Sequence, residues 1–251
     1  NIDPEHLDYF GSVEAMHDAY EAFFRNIPFY GLAVTCVDHP VARGMVDKLG
    51  LRQDARRLLT YGASADADLR LTRVSVAGAV TTFDAELGAR AAGGARTLTG
   101  WQVPVPGEHN ALNALAAIAV ASEAGIPDDT IRSAMASFSG VKRRFQLTGT
   151  WNDVGIYDDY GHHPIEIAAV LKAARAGAKG RVIAVVEPHR YTRVRDLFDD
   201  FCACFADADA VVVAPMYSAG EAPIAGIDNK GLAAGIKQTG HKAVLAIDSD
   251  R

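Results

Sequence analysis

From about residue 154 onward the chain repeats one pattern, and that pattern limits the possible folds more than anything else in it. Residues 154–157, 181–186, 210–214 and 243–247 are short apolar runs, and the segments 164–175, 194–206 and 230–237 between them carry helical spacing. Strands that alternate with helices imply right-handed crossovers and a parallel sheet. The first half is more mixed. Val13, Met16, Tyr20, Phe23 and Ile27 recur at helical spacing behind Ser12, predicting a helix over 12–26 with Ser12 as N-cap. A strand is expected at 32–38, a short helix at 41–49 and a strand at 58–61. Residues 68–76 and 80–87 read as an antiparallel pair around 77–79. An Ala-rich helix over 110–123 stops at Gly125, and Asp128 is expected to cap another running to about 138. The character changes near 139–141, so two α/β domains are predicted, 1–140 and 141–251, with a mainly parallel sheet in the second. Because the chain stops just after a strand, that domain is expected to be incomplete.

Apolar residues make up 49% of the chain and charged residues 22%, enough to build real cores. A net charge of -6 excludes a general nucleic-acid binder held by phosphate neutralisation, although it permits a local basic pocket. The longest apolar run, 111–121, is short and broken by Asn113, so no membrane span is expected. Cys36, Cys202 and Cys204 cannot all pair, and Cys202 and Cys204 point to different helix faces. Reduced thiols and an opening, Asn1-Ile2-Asp3-Pro4-Glu5, that is no signal peptide point to the cytoplasm.

Ligand sites in such sheets lie beyond the C-terminal ends of the strands. The turn 158–164 (DDYGHHP) places Asp158, Asp159, Tyr160, His162 and His163 before Pro164, which suits a first helical position. These groups can orient an amine, accept its proton or bind a carboxylate, whereas the bland alternative is helix capping by Asp159. The turn 187–193 (EPHRYTR) sets Arg190 and Arg193 three apart at a helix opening, where paired guanidiniums suit carboxylate or phosphate. Its bland alternative is a solvated face of Arg–Asp pairs, although arginine opposes the macrodipole there. The loop 216–227 is assigned no chemistry. In the first half, Asn110 and Asn113 open the long helix and can read an adenine edge, with an Asn110 N-cap as the equal alternative. Lys142, Arg143 and Arg144 offer cations for a phosphate, and His6 can ligate a metal. No G-x-x-x-x-G-K-[ST] loop, G-x-G-x-x-G, H-E-x-x-H or G-x-S-x-G motif occurs, so these residues alone name no reaction.

Six segments in order take the reading further: NIDPEHLDYFG (1–11), GEHNALNA (107–114), GVKRRF (140–145), DDYGHHP (158–164), EPHRYTRVRDL (187–197) and YSAGEAPI (217–224). This series resembles the Mur ligases, and most of all their L-alanine-adding branch, over essentially the whole chain. The resemblance implies an ATP-dependent ligase that joins L-alanine to UDP-N-acetylmuramate through an acyl phosphate, in peptidoglycan precursor synthesis. It implies a central ATPase domain over 1–140 and a Rossmann-like C-terminal domain over 141–251. The P-loop part and the preceding domain are expected to lie upstream. It further implies that His6 ligates Mg²⁺, that Asn110 and Asn113 hold adenine, and that Arg144 and Asp159 serve ATP. Tyr160, His162, His189, Arg190 and Arg193 would hold L-alanine and the reacting carboxylate. Residues 12–25 contain no lysine, so the carbamylated lysine of some relatives is not expected. Two alternatives stay open: the recycling branch that adds a whole tripeptide, which usually reads Phe-Ala at Tyr160-Gly161, and a non-catalytic nucleotide-binding fragment.

Overall fold

The computed structural model describes residues 2–50 and 57–248. The chain divides into two compact units, Asn1–Ser75 with Val80–Pro104 and Glu108–Phe138, and Val76–Ala79 with Val105–Gly107 and Ser139–Arg251.

The first unit opens with α1 (Leu7–Phe10) and α2 (Val13–Arg25), followed by β1 (Leu32–Cys36) and α3 (Pro40–Lys48). Ser12 caps α2 as expected, its hydroxyl accepting from the Ala15 N–H at 3.1 Å. Ile2 packs with Met16, Ala42 and Met45, which anchors the segment leading to His6 against α2 and α3. Next come β2 (Arg57–Gly62), β3 (Leu69–Ala77), β4 (Val80–Leu87) and β5 (Arg96–Val103). They form one sheet in the order β1-β2-β3-β4-β5, with β1, β2 and β3 parallel and β4 and β5 antiparallel. The return from β2 to β3 is short because Thr60 and Asp68 lock it. The Thr60 N–H and hydroxyl donate to Asp68, and the Asp68 N–H donates back to the Thr60 hydroxyl. The helix α4 (Glu108–Glu123) buries Ala111, Ala114, Leu115, Ile118, Ala119 and Ser122, the stripe that its Ala-rich period predicts.

One capping alternative, at Asn110, and one capping expectation, at Asp128, fail in this unit. Asn110 is the third residue of α4 rather than its N-cap, so Asn110 and Asn113 lie one turn apart on the same side. Asp128 is the first residue of α5 (Asp128–Ala136), behind Pro127 at the N-cap. Its carboxylate instead takes two bonds from Arg96, at 2.7 and 2.8 Å, while the same guanidinium reaches the Ser122 hydroxyl at 3.1 Å.

The second unit begins with β6 (Gln146–Trp151) and β7 (Val154–Asp158), an antiparallel pair of their own. Here the sequence expectation is corrected, since the run at 154–157 does not join the parallel sheet. Asn152 and Asp153 both take positive φ, 47° and 63°, and such a two-residue turn folds the strand back on its predecessor. After α6 (Pro164–Gly177) come β8 (Ile183–Val186), α7 (Tyr191–Asp196), α8 (Phe198–Ala203), β9 (Ala210–Val213), α9 (Asn229–Gln238) and β10 (Val244–Ala246). The three strands are parallel in the order β10-β9-β8, as the alternation predicts. The helix expected at 194–206 starts earlier and breaks at Leu197, whose φ of -120° and ψ of 28° interrupt the ladder between α7 and α8. One core holds Leu171 of α6, Val194 of α7, Phe201 of α8 and Ile236 of α9 with Val211, Val213 and Val244. Cys202 and Cys204 are buried free thiols, and burial pushes Cys204 up to about 12, so it behaves as an apolar side chain. No described helix is long and apolar enough to cross a membrane.

Candidate functional site

Three loops of the second unit converge. The first follows β7. Arg143 and Phe145 take positive φ, 58° and 47°, which turns their backbone toward the DDYGHHP segment. The Tyr160 N–H donates to the Arg143 carbonyl at 2.7 Å. Asp159 spends both carboxylate oxygens on backbone, accepting from Phe145 N–H at 2.8 Å and Gly161 N–H at 2.6 Å. A Cβ on Gly161 would stand 2.8 Å from Asp159 Oδ1, so glycine is what this close bond requires. The Arg143 guanidinium lies over the Tyr160 ring at 4.7 Å, a cation–π contact that steadies the phenol. The alternative of an Asp159 cap on α6 is not what forms. His163 caps the helix, its Nδ1 accepting from Ile165 N–H at 3.3 Å, so the proton of the neutral ring sits on Nε2. Glu166 completes the box by accepting from the N–H groups of His162 (3.1 Å) and His163 (3.3 Å). Arg144 Nη1 stands 3.8 Å from Glu166 Oε1, which joins the basic run to the same turn.

His162 Nδ1 donates to the Tyr160 carbonyl at 3.0 Å, which puts the lone pair of the neutral ring on Nε2. From there the rings of three loops form a row. Tyr160 meets His162 edge-on at 5.3 Å, His162 meets His189 at 6.3 Å, and His189 stacks on Tyr217 at 4.7 Å. The HHP and HRYTR turns, whose residues the resemblance assigns to one pocket, are therefore neighbours.

His189 and Arg190 follow β8, and Tyr217 follows β9, at the C-terminal ends of two parallel strands. The loops extend the ladder beyond the strands: His189 bridges Tyr217, Arg190 N–H donates to the Tyr217 carbonyl at 2.8 Å, and Tyr217 N–H to the Pro188 carbonyl at 2.9 Å. Arg190 occupies the N-cap of α7 with φ 70°, a conformation costly to a long side chain and typical of residues held for function. Arg193, one turn on, donates to the His189 carbonyl at 3.3 Å. The solvated-face alternative holds for Arg195, paired with Asp196 at 2.7 Å, while Arg193 also reaches back to the turn. Burial first, then the charges of Arg193, His162 and Arg190, lower His189 below the usual imidazole range, with Glu187 opposing. Its Nδ1 is buried without a hydrogen-bond partner. The site can thus present a neutral imidazole beside two fixed guanidiniums, a set suited to an amino acid's amine and carboxylate.

Glu221 was not anticipated. It accepts from the Thr192 N–H at 3.0 Å and hydroxyl at 2.7 Å, and stands 3.8 Å from Arg190. Burial alone would raise its carboxyl, but the Thr192 bonds and the Arg190 charge outweigh this and hold it below the usual range. Tyr217 and Glu166 were likewise unassigned. Glu166 had a signal in its spacing three residues behind the cap. The other two become visible only once the loops meet.

In the first unit, Asn110 Nδ2 lies 3.1 Å from His109 Nε2 and Asn113 is exposed one turn on. His6 takes φ 55° ahead of α1, with Nε2 3.5 Å from Glu5 Oε1. Among the described residues no cluster of three or more His, Cys, Asp or Glu could hold a metal. The donors at Glu5 and His6 suit an ion that takes its other ligands from phosphate and water, the usual habit of Mg²⁺.

Comparison with known proteins agrees with this geometry. The profile of the Mur ligase middle domain matches residues 1–121. The profile of the Mur ligase glutamate ligase domain matches residues 143–251. A UDP-N-acetylmuramate–L-alanine ligase of Methylorubrum extorquens is 54% identical over 248 residues, which is 99% of this chain and 52% of the relative. One from Parvibaculum lavamentivorans is 55% identical over 248 residues, again 99% of this chain and 50% of the relative. The chain thus spans about half the length of these curated relatives. Among solved structures, a UDP-N-acetylmuramate-alanine ligase from Thermotoga maritima superposes with TM-score 0.70 at 26% identity, covering 97% of this chain and 48% of that one. A MurF ligase from Thermotoga maritima, solved in complex with ADP, shares the fold with TM-score 0.70 at 21% identity, over 99% of this chain and 52% of its own. Two neighbouring domains of one family account for all but residues 122–142, and the chain belongs to the Mur ligase family.

Proposed function

We propose that the protein of which this chain is a part joins L-alanine to the carboxylate of UDP-N-acetylmuramate at the expense of ATP. The observation that carries this reading is the row Tyr160–His162–His189–Tyr217 flanked by Arg190, on loops that follow β7, β8 and β9. In the reaction the substrate carboxylate is first phosphorylated, the amine attacks the acyl phosphate, and the tetrahedral intermediate releases phosphate as the amide forms. Arg190 and Arg193 bind the carboxylate of L-alanine and the charge that develops on the intermediate. His189, held neutral, accepts the proton that the amine must lose. Tyr160 and His162 orient the amine, so that much of the rate comes from alignment. Residues 1–140 serve as the ATPase domain, where Asn110 and Asn113 take the adenine edge. Residues 141–251 serve as the C-terminal domain, where Arg144 takes a phosphate and Asp159 shapes the turn behind it. His6 would hold a Mg²⁺ ion, which would supply charge neutralisation on the phosphates. The reading puts the reaction in the cytoplasm, where ATP is available.

The full-length protein is expected to release phosphate only when both L-alanine and UDP-N-acetylmuramate are present. Arg190→Ala should lower kcat/KM by about 100-fold or more, the usual effect of removing one charge-stabilising donor. Preference for a tripeptide over L-alanine in a coupled phosphate assay would move the assignment to the recycling branch. Wild-type turnover by Arg190→Ala would remove that residue from the site.

A further inference from the structure

We propose that Glu221, on the loop after β9, is a positioning residue that sets Arg190 and the opening of α7 for the amino-acid acceptor. The inference rests on the ligase reading above and adds to it a residue from a loop to which no chemistry had been given.

The helix α7 begins under two handicaps. Its N-cap is Arg190, whose side chain makes no capping bond, and a guanidinium at that end faces the positive pole of the helix. Arg190 also holds a φ of 70°, a costly conformation for a residue with a long side chain. Glu221 answers both from a distance of 29 residues. Its carboxylate accepts from the Thr192 N–H and hydroxyl, doing for α7 what a capping serine or aspartate would do from within the chain. The same carboxylate stands 3.8 Å from Arg190 Nη1 and offsets the misplaced charge. The Glu221 side chain is half-buried, 19% exposed, beside an Arg190 side chain that is 31% exposed.

The loop holds the turn at a second point. Tyr217, four residues before Glu221, stacks on His189 and bridges it through the backbone. Arg193 rides on the same helix and reaches back to the His189 carbonyl. The imidazole and both arginines therefore depend on one loop for their placement. Of its two handles, the carboxylate is the one a single substitution can remove while leaving the stacked rings in place.

The test uses the full-length protein. In Glu221→Ala, KM for L-alanine is expected to rise at least tenfold, with KM for ATP and for UDP-N-acetylmuramate within twofold of wild type. Glu221→Gln keeps an acceptor for Thr192 but drops the charge, and should fall between the two. Amide hydrogen exchange over residues 189–196 should accelerate in Glu221→Ala without a matching change in α9. Parallel rises in all three KM values would mean a general structural role and overturn the proposal, as would wild-type exchange in that segment. If wild-type protein consumes neither L-alanine nor tripeptide, the ligase reading itself fails and the acceptor role falls with it. The exchange measurement needs no substrate, so it still decides separately whether Glu221 holds the turn.

Discussion

His189 lies between a second imidazole and two guanidiniums, and a proton placed on it would meet charge it cannot escape. Burial and these neighbours depress its folded value, so the unfolded chain binds a proton that the folded chain refuses. The sign follows directly. Stability is full above the unfolded imidazole value of about 6.5 and is lost as pH falls from there toward the lower folded value. Urea midpoints measured between pH 7 and pH 5 should fall for wild type and fall less for His189→Asn, and equal slopes would show that the imidazole carries no such penalty. The histidines and arginines of this site were legible in the sequence because each sits in a short turn directly after a strand-like run. Glu221 and Tyr217 were not, since their partners lie 28 or 29 residues away and no local pattern records a meeting of two loops. Asp159 shows a related limit: its position before α6 offered a cap as one alternative, whereas its bonds go to the backbone at Phe145 and Gly161.

Among the elements, the parallel strands β8, β9 and β10 were legible because apolar runs separated by helical periods have few other solutions. The strands β5 and β6 escaped notice, and for β5 the reason is physical. Leu98, Trp101 and Val103 are its buried apolar residues, a spacing that breaks the period of two. The break is a bulge. The register slips opposite Asp84, Gly100 takes φ 65°, and its N–H donates to the Asp84 carboxylate at 2.7 Å. The hairpin of β6 and β7 has a weaker signature, Asn152-Asp153, whose positive φ values a sequence usually marks with glycine. That leaves room for improvement. Asp153→Gly should raise stability by about 0.5 kcal/mol by relieving an L-residue from the left-handed region. Thermal melts of the two forms check this, and a lower midpoint would show that the Asp153 side chain contributes more than its backbone costs.

At the scale of the whole second unit, the described helices lie against one side of the parallel sheet. Residues from α6, α7, α8 and α9 share a core with Val211, Val213 and Val244, so consecutive right-handed crossovers have laid their helices on a single face. On the other face Ile183 is 53% exposed, Val185 71% and Leu245 59%. Parallel strands with apolar residues on both faces are ordinarily covered on both, so this face offers water a contiguous apolar surface. The 251-residue chain should therefore enhance the fluorescence of an apolar dye such as ANS in its folded state. The triple variant Ile183→Thr, Val185→Thr, Leu245→Thr should lose most of that signal. Its thermal midpoint should hardly move, because surface changes outside a packed core usually stay within about 0.5 kcal/mol each. A large drop in midpoint would show instead that these side chains are packed, and that the face is closed even in the isolated chain.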